Sequence, residues 1–210
     1  MKKLFVTILA VTFGVAVAQA QDDTREQFMF GLKVGANYSN VYDTKGEQFN
    51  ADPKFGFAGG AFVSVPIGKF LGIHPEVLFS QKGFSSTGTL LGADFKLTRS
   101  TNYLDIPIFL EIKPVELLTI LVGPQYSFLM KQTDDFTSGS TNILLQKQAF
   151  DNENIRKNTL CFVGGLDINI KYIVIGVTAG VDALNNNGDG TSNTPRYKNM
   201  WYQATVGFRL

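Results

Sequence analysis

Apolar residues occupy every second position through most of this chain. Eight segments carry the pattern: Phe28–Ser39, Phe55–Pro66, Leu71–Ser80, Tyr103–Ile112, Leu118–Met130, Leu160–Lys171, Ile173–Ala183 and Trp201–Leu210. Successive residues of a strand point to opposite faces, so each segment divides into two sets. One set runs Phe28, Phe30, Leu32, Val34 in the first segment and Leu104, Ile106, Ile108, Leu110 in the fourth. None of its members in any segment is charged, in a chain that is 18% charged. The other set mixes glycine with charge. It holds Gly31, Lys33 and Gly35, then Gly72, His74 and Glu76, and later Asp105, Glu111, Asp167, Lys171, Asp182 and Arg209. Each segment is about the 9–11 residues that a tilted strand needs to cross a bilayer, or slightly more.

Alternation alone does not say which face is outside. A soluble barrel would expose a face crowded with Lys, Glu, Thr and Ser, whereas here the polar set is rich in glycine. Small residues suit the interior of an eight-stranded barrel, where there is room for little more than side chains. A charge on a lipid face costs about 2–4 kcal/mol at the midplane, which accounts for the uncharged set. The connections also alternate: 67–70, 113–117 and Lys171–Tyr172 are tight, while 40–54, 81–102, 131–159 and 184–200 read as long loops. The pattern therefore predicts an all-β, eight-stranded antiparallel up-and-down transmembrane β-barrel in a bacterial outer membrane. Its N-terminus would be periplasmic and its long loops extracellular. A soluble lipocalin-like barrel is the alternative. Hydrocarbon tolerates no open sheet edge, so the last strand must pair with the first. The terminal Gly207-Phe208-Arg209-Leu210 is an apolar, partly aromatic strand of the kind presented to barrel-insertion machinery, with Leu210 in place of a final aromatic.

The first twenty residues read as an address. Met1-Lys2-Lys3 supplies positive charge, Leu4 to Ala18 is apolar, and Ala18-Gln19-Ala20 fits a small-x-small cleavage site. The apolar run is shorter than the roughly 20 residues of a spanning helix. The expected organisation is a cleaved secretory signal peptide over 1–20 and one barrel domain over 21–210. Composition agrees, with 18 Phe and 21 Gly in the whole chain. Cys161 is the single cysteine, so no disulfide framework or cysteine metal site is available. Net charge of +1, with no Lys/Arg cluster, gives no reason to expect nucleic acid.

Several strands carry a family resemblance. Gly31-Leu32-Lys33-Val34-Gly35-Ala36-Asn37-Tyr38-Ser39 and Pro75-Glu76-Val77-Leu78-Phe79-Ser80-Gln81-Lys82-Gly83 resemble the first and third strands of PorT-like outer-membrane barrel proteins of the Bacteroidetes type. Tyr103-Leu104-Asp105-Ile106-Pro107 and Gly123-Pro124-Gln125-Tyr126 are similar to the fourth and fifth. The resemblance covers the mature chain and implies an eight-stranded barrel with a periplasmic N-terminus. Some relatives take part in a protein-secretion apparatus, and others are barrels with no assigned role. A shared barrel does not carry a shared job.

The most specific chemical feature is the charge on the inward face: Lys33, Glu76, Asp105, Glu111, Asp167 and Arg209. Lys33 and Arg209 fall on strands that should be neighbours, as do Glu76 and Glu111. Across so narrow an interior these groups are expected to pair, giving a structural plug; the functional reading is an ion path or a binding cluster. His74, the only histidine, would need a nucleophile and an orienting acid to act as a base, and Ser80 lies roughly 20 Å along the strand. Cys161 reads as inert packing. Asn185-Asn186-Asn187-Gly188-Asp189-Gly190 offers oxygen ligands beside glycines but lacks EF-hand spacing, and suits a surface loop or, less well, calcium. Within 131–159, Ile143-Leu144-Leu145 is an apolar patch that would hold a partner or fold onto the rim.

Three functions remain open. The first is a non-enzymatic barrel working through loops or rims in an envelope assembly, with outer-membrane lipid, the insertion machinery and envelope or secretion proteins as partners and no cofactor. The second is a narrow porin-like channel for small solutes. The third is an outer-membrane enzyme with His74 as base.

Overall fold

The computed structural model describes residues 24–43, 50–90, 93–138, 156–186 and 197–210. The signal segment 1–20, the Ile143–Leu145 patch and 187–190 of the Asn/Gly loop lie outside the described residues. A short 3-10 turn, Thr24–Glu26, precedes eight strands. These are β1 (Met29–Asp43), β2 (Asn50–Pro66), β3 (Leu71–Leu90), β4 (Ala93–Val115), β5 (Leu118–Ser138), β6 (Asn158–Ile170), β7 (Ile173–Asp182) and β8 (Tyr197–Arg209). Each pairs antiparallel with its sequence neighbour, and the sheet closes on itself. Closure is made by β1 and β8 in register from Gly31 opposite Arg209 to Asp43 opposite Tyr197. No helix among the described residues is long and apolar enough to cross a membrane.

The two faces divide as the alternation requires. Phe28, Phe30, Leu32, Val34 and Tyr38 stand exposed, while Lys33, Asn37 and Ser39 on the opposite face are buried. The same inversion, apolar out and polar in, holds around the ring: Ile108 and Leu110 are exposed while Asp105 and Glu111 are buried. In water this would be costly at about 25 cal/mol per Å2 of apolar surface; in hydrocarbon it is the stable arrangement. Aromatic rings collect at both ends of the apolar band. Phe28, Phe30, Phe70 and Phe208 lie near the tight turns, and the pairs Tyr38–Phe55 and Tyr126–Phe128, at 4.9 and 4.8 Å, lie near the other end. Such girdles mark the two membrane–water interfaces.

The tight connections at 67–70 and 171–172 are as expected, while the one expected at 113–117 narrows to 116–117 because β4 continues to Val115. Lys171 takes φ 52 in the last of these and is exposed, so it is a turn residue rather than part of the inward face. The long connections need correction. Residues 81–102, expected as a loop, are β3 and β4 continuing as a hairpin, paired from Gln81–Asn102 to Leu90–Ala93. Residues 131–138 extend β5, and parts of 40–54 and 184–200 extend β1, β2 and β8. A bulge where Asn102 opposes Lys131 but Tyr103 opposes Leu129 swaps the faces of upper β5. Above it Lys131, Thr133 and Asp135 point outward, beside Lys96, Thr98 and Ser100 of β4. The apolar band therefore ends near Leu104 and Phe128, and β3–β4–β5 rise beyond it as a polar wall.

Candidate functional site in the barrel lumen

Eight strands bring side chains from opposite walls within contact, so the lumen is filled in layers. At the tight-turn end His74 is the hub. Its Nδ1 lies 2.8 Å from Glu111 Oε2, and its Nε2 lies 3.0 Å from Glu76 Oε1, out of line for a hydrogen bond. Lys33 Nζ donates to Glu76 Oε1 at 2.5 Å, Ser64 Oγ donates to Glu111 Oε1 at 2.8 Å, and Lys113 Nζ sits 2.7 Å from the same oxygen. The His74 ring stacks on Phe62 at 5.1 Å, which fixes its plane. This places charges from β1, β3 and β4 in one network, all of them nearly inaccessible.

Asp105 belongs elsewhere. It pairs with Lys82 at 2.8 Å, and Lys82 lies 3.6 Å from the Trp201 ring centroid, a cation–π contact in a desolvated setting. Nearby, Asp182 accepts from Asn199 Nδ2 at 2.6 Å and from Cys161 Sγ at 3.2 Å. Between the two charged layers Phe109, Leu121, Cys161, Val163 and Trp201 pack together. Beside them Asn37 donates to Ser80 Oγ at 2.8 Å and accepts from Gln203 at 2.9 Å. Higher still, Arg99 grips Asp134 with two bonds of 2.9 and 2.8 Å and donates to Tyr197 at 2.9 Å.

The six inward charges read from sequence are thus not one cluster. Lys33, Glu76 and Glu111 join through His74; Asp105 lies in a separate layer. Glu76 and Glu111 face opposite sides of the imidazole, and Glu111 stands opposite Gly72 across β3. Asp167 is buried against Gly176, and its Oδ1 has no hydrogen-bond partner among the described residues. Arg209 sits at the rim, where its Nε donates to the Lys171 carbonyl at 2.9 Å. Lys82, Lys113 and the Arg99–Asp134 pair were missed because the segments were cut at Ser80, Ile112, Tyr103 and Met130. For Lys82 and Lys113 the parity of β3 and β4, carried one step further, would have found the inward position.

The free volume beneath the Thr24–Glu26 turn, bounded by Ser64, His74, Glu111 and Asp167, is about 20 Å3. That holds a water molecule or so and no solute. Both ring nitrogens of His74 face carboxylates, and Ser80, the inward serine of the same strand, is bound to Asn37. Among the described residues no group of three or more His, Cys, Asp or Glu could hold a metal ion.

A closed antiparallel barrel with an apolar exterior and a packed polar lumen defines a small membrane-spanning β-barrel protein. The chain belongs to the outer membrane protein beta-barrel domain family, whose model matches residues 18–183. Its solved neighbours include Ail, the attachment invasion locus protein of Yersinia pestis. That structure shares 14% identity over 87% of this chain and 98% of its own, at a TM-score of 0.47. Neisserial surface protein A matches at 10% identity over 85% and 96%, with a TM-score of 0.45. Outer membrane protein OprG of Pseudomonas aeruginosa matches at 12% identity over 87% and 95%, with a TM-score of 0.42. No curated protein matches the chain.

Proposed function

We propose that this protein is a non-enzymatic outer-membrane barrel that works through its rims in an envelope assembly, with the wall of β3, β4 and β5 as its docking element. The observation that carries this reading is the wall itself. β3, β4 and β5 run 20, 23 and 21 residues, against 10 and 13 for β7 and β6. Strands need about 9–11 residues to cross hydrocarbon, so the excess stands in solvent as a rigid hydrogen-bonded sheet. Such a surface is held in place before a partner arrives, which lowers the ordering cost of binding. With the wall extracellular, the tight turns and the N-terminus are periplasmic. The PorT-like strands support a protein-secretion assembly as the setting. The signal segment over 1–20 would deliver the chain to the envelope. The packed lumen weighs against solute passage, and the occupied His74 against hydrolysis.

The test is purification of tagged protein from native outer membranes in mild detergent. A second variant has 86–97 replaced by Asn-Gly, which joins the paired Ser85 and Thr98 through a tight hairpin turn. The full protein is expected to bring down a stoichiometric envelope partner, and the shortened barrel to fold and lose it. A partner retained by the shortened barrel would refute the role of the wall; a clean monomer from both would refute the assembly.

A further inference from the structure

The lipid-facing wall is not uniformly smooth. Between β6, β7 and β8 an apolar groove of about 220 Å3 opens outward. Ala179, with only an outward methyl group, forms its floor beside the backbone of Gly180. Phe162, Val181, Met200 and Tyr202 form its walls. On the lumen side of Gly180 the Trp201 ring takes the place a Cβ would need, so this position carries no side chain. Phe162 is 62% exposed and Tyr202 55%, so two aromatic side chains stand up on either side of a small-residue floor. The groove is continuous with the apolar band that faces hydrocarbon.

Cations lie at its upper end. Lys198 shares the outward face of β8 with Met200 and Tyr202, one strand repeat above the groove, and donates to the Ala183 carbonyl at 2.8 Å. Arg156 closes the same rim, its Nε donating to the Asn185 carbonyl at 3.0 Å and its backbone N–H to the Asn186 carbonyl at 3.0 Å. Lys157 is exposed beside it. Basic side chains directly above an apolar groove, at the depth where an aromatic girdle marks the interface, match the two ends of one molecule.

We propose that the β6–β7–β8 groove, with Lys198 and Arg156 above it, is a site for one phosphorylated membrane lipid of the leaflet on the wall side. An acyl chain lies along Ala179 and Gly180 between Phe162 and Tyr202, and the phosphate reaches Lys198 and Arg156. Packing against a groove gains contacts that a flat wall does not offer a mobile chain. The charged rim selects an anionic phosphate over a zwitterionic headgroup. A second copy of the barrel is less suited to the place, because its own convex wall would meet Phe162 and Tyr202 before reaching the floor.

The experiment uses the purified full chain in phosphatidylcholine vesicles containing a small fraction of phosphatidic acid with a diazirine in mid-chain. After irradiation, labelled peptides are mapped. Labels should concentrate on 160–163, 179–182 and 200–202 rather than spread around the barrel. Ala179→Trp, which fills the floor, should abolish that concentration, while Ile108→Trp on the opposite wall should leave it intact. Lys198→Gln should lower it about fivefold. Strand content by circular dichroism confirms that each variant has inserted. Even labelling around the barrel, no effect of Ala179→Trp in a folded protein, or equal labelling by a diazirine phosphatidylcholine would overturn the proposal. Cross-linking between barrels through this face would also overturn it, by assigning the groove to a second copy.

Discussion

Glu111→Ala removes the group on which the tight-turn network converges. Its carboxylate accepts from Ser64 at 2.8 Å, meets His74 Nδ1 at 2.8 Å and lies 2.7 Å from Lys113 Nζ. A hydrogen bond to a charged group is worth about 1.5–3 kcal/mol and a neutral one about 0.5–1.5 kcal/mol net. Part of that is returned, because the variant no longer desolvates a carboxylate. The larger effect is on the survivors, since Lys113 loses its partner while remaining almost wholly buried. Breaking a buried pair from one side typically costs about 3–5 kcal/mol, and the loss here should fall in that range. Equilibrium unfolding in urea with phospholipid vesicles, followed by Trp201 fluorescence, measures it. His74→Ala combined with Glu111→Ala should show a coupling of about 1 kcal/mol or more, as residues in one network do. A loss under about 0.5 kcal/mol, typical of surface changes, would refute the claim that this network holds the barrel together.

Two other changes probe separate layers. Lys82→Met keeps the stem against Trp201 but strands Asp105, and should cost about 3–5 kcal/mol; adding Asp105→Leu should recover most of it, both read by the same unfolding curves. Cys161 is wholly buried. A maleimide should therefore modify it only as fast as the barrel opens, and within minutes once urea unfolds the chain.

The strands within the membrane were legible because lipid enforces a strict rule on one face. Leu104, Ile106, Ile108 and Leu110 have no polar alternative there, so period-two alternation survives and fixes both the strand and its orientation. Above Leu104 the rule lapses. Ser100, Thr98 and Lys96 face water, and the strand continues only through backbone pairing with β3 and β5, which leaves no mark on composition. That is why 81–102 read as a loop. The bulge near Met130 hid upper β5 in the same way, by reversing parity at the point where apolar residues stop. In the lumen, parity placed Lys33, Glu76, Asp105, Glu111, Asp167 and Asp182 inward but misplaced Lys171, and it did not give the partners. Pairing across a barrel depends on strand stagger, which set Glu76 and Glu111 on opposite sides of His74 instead of side by side. Lys82 and Lys113 lay one step past the segment ends, so two of the cations that balance the carboxylates went unseen.

A closed lumen is what directs the proposed function to the rims. Phe109, Leu121, Cys161, Val163 and Trp201 block the middle, and the opening beneath the Thr24–Glu26 turn has about 20 Å3 of free space. Single-channel recording of the purified barrel in a planar bilayer with 1 M KCl tests this directly. A baseline indistinguishable from protein-free membrane is expected; reproducible conductance steps that appear only with the barrel present would show an open lumen and contradict it.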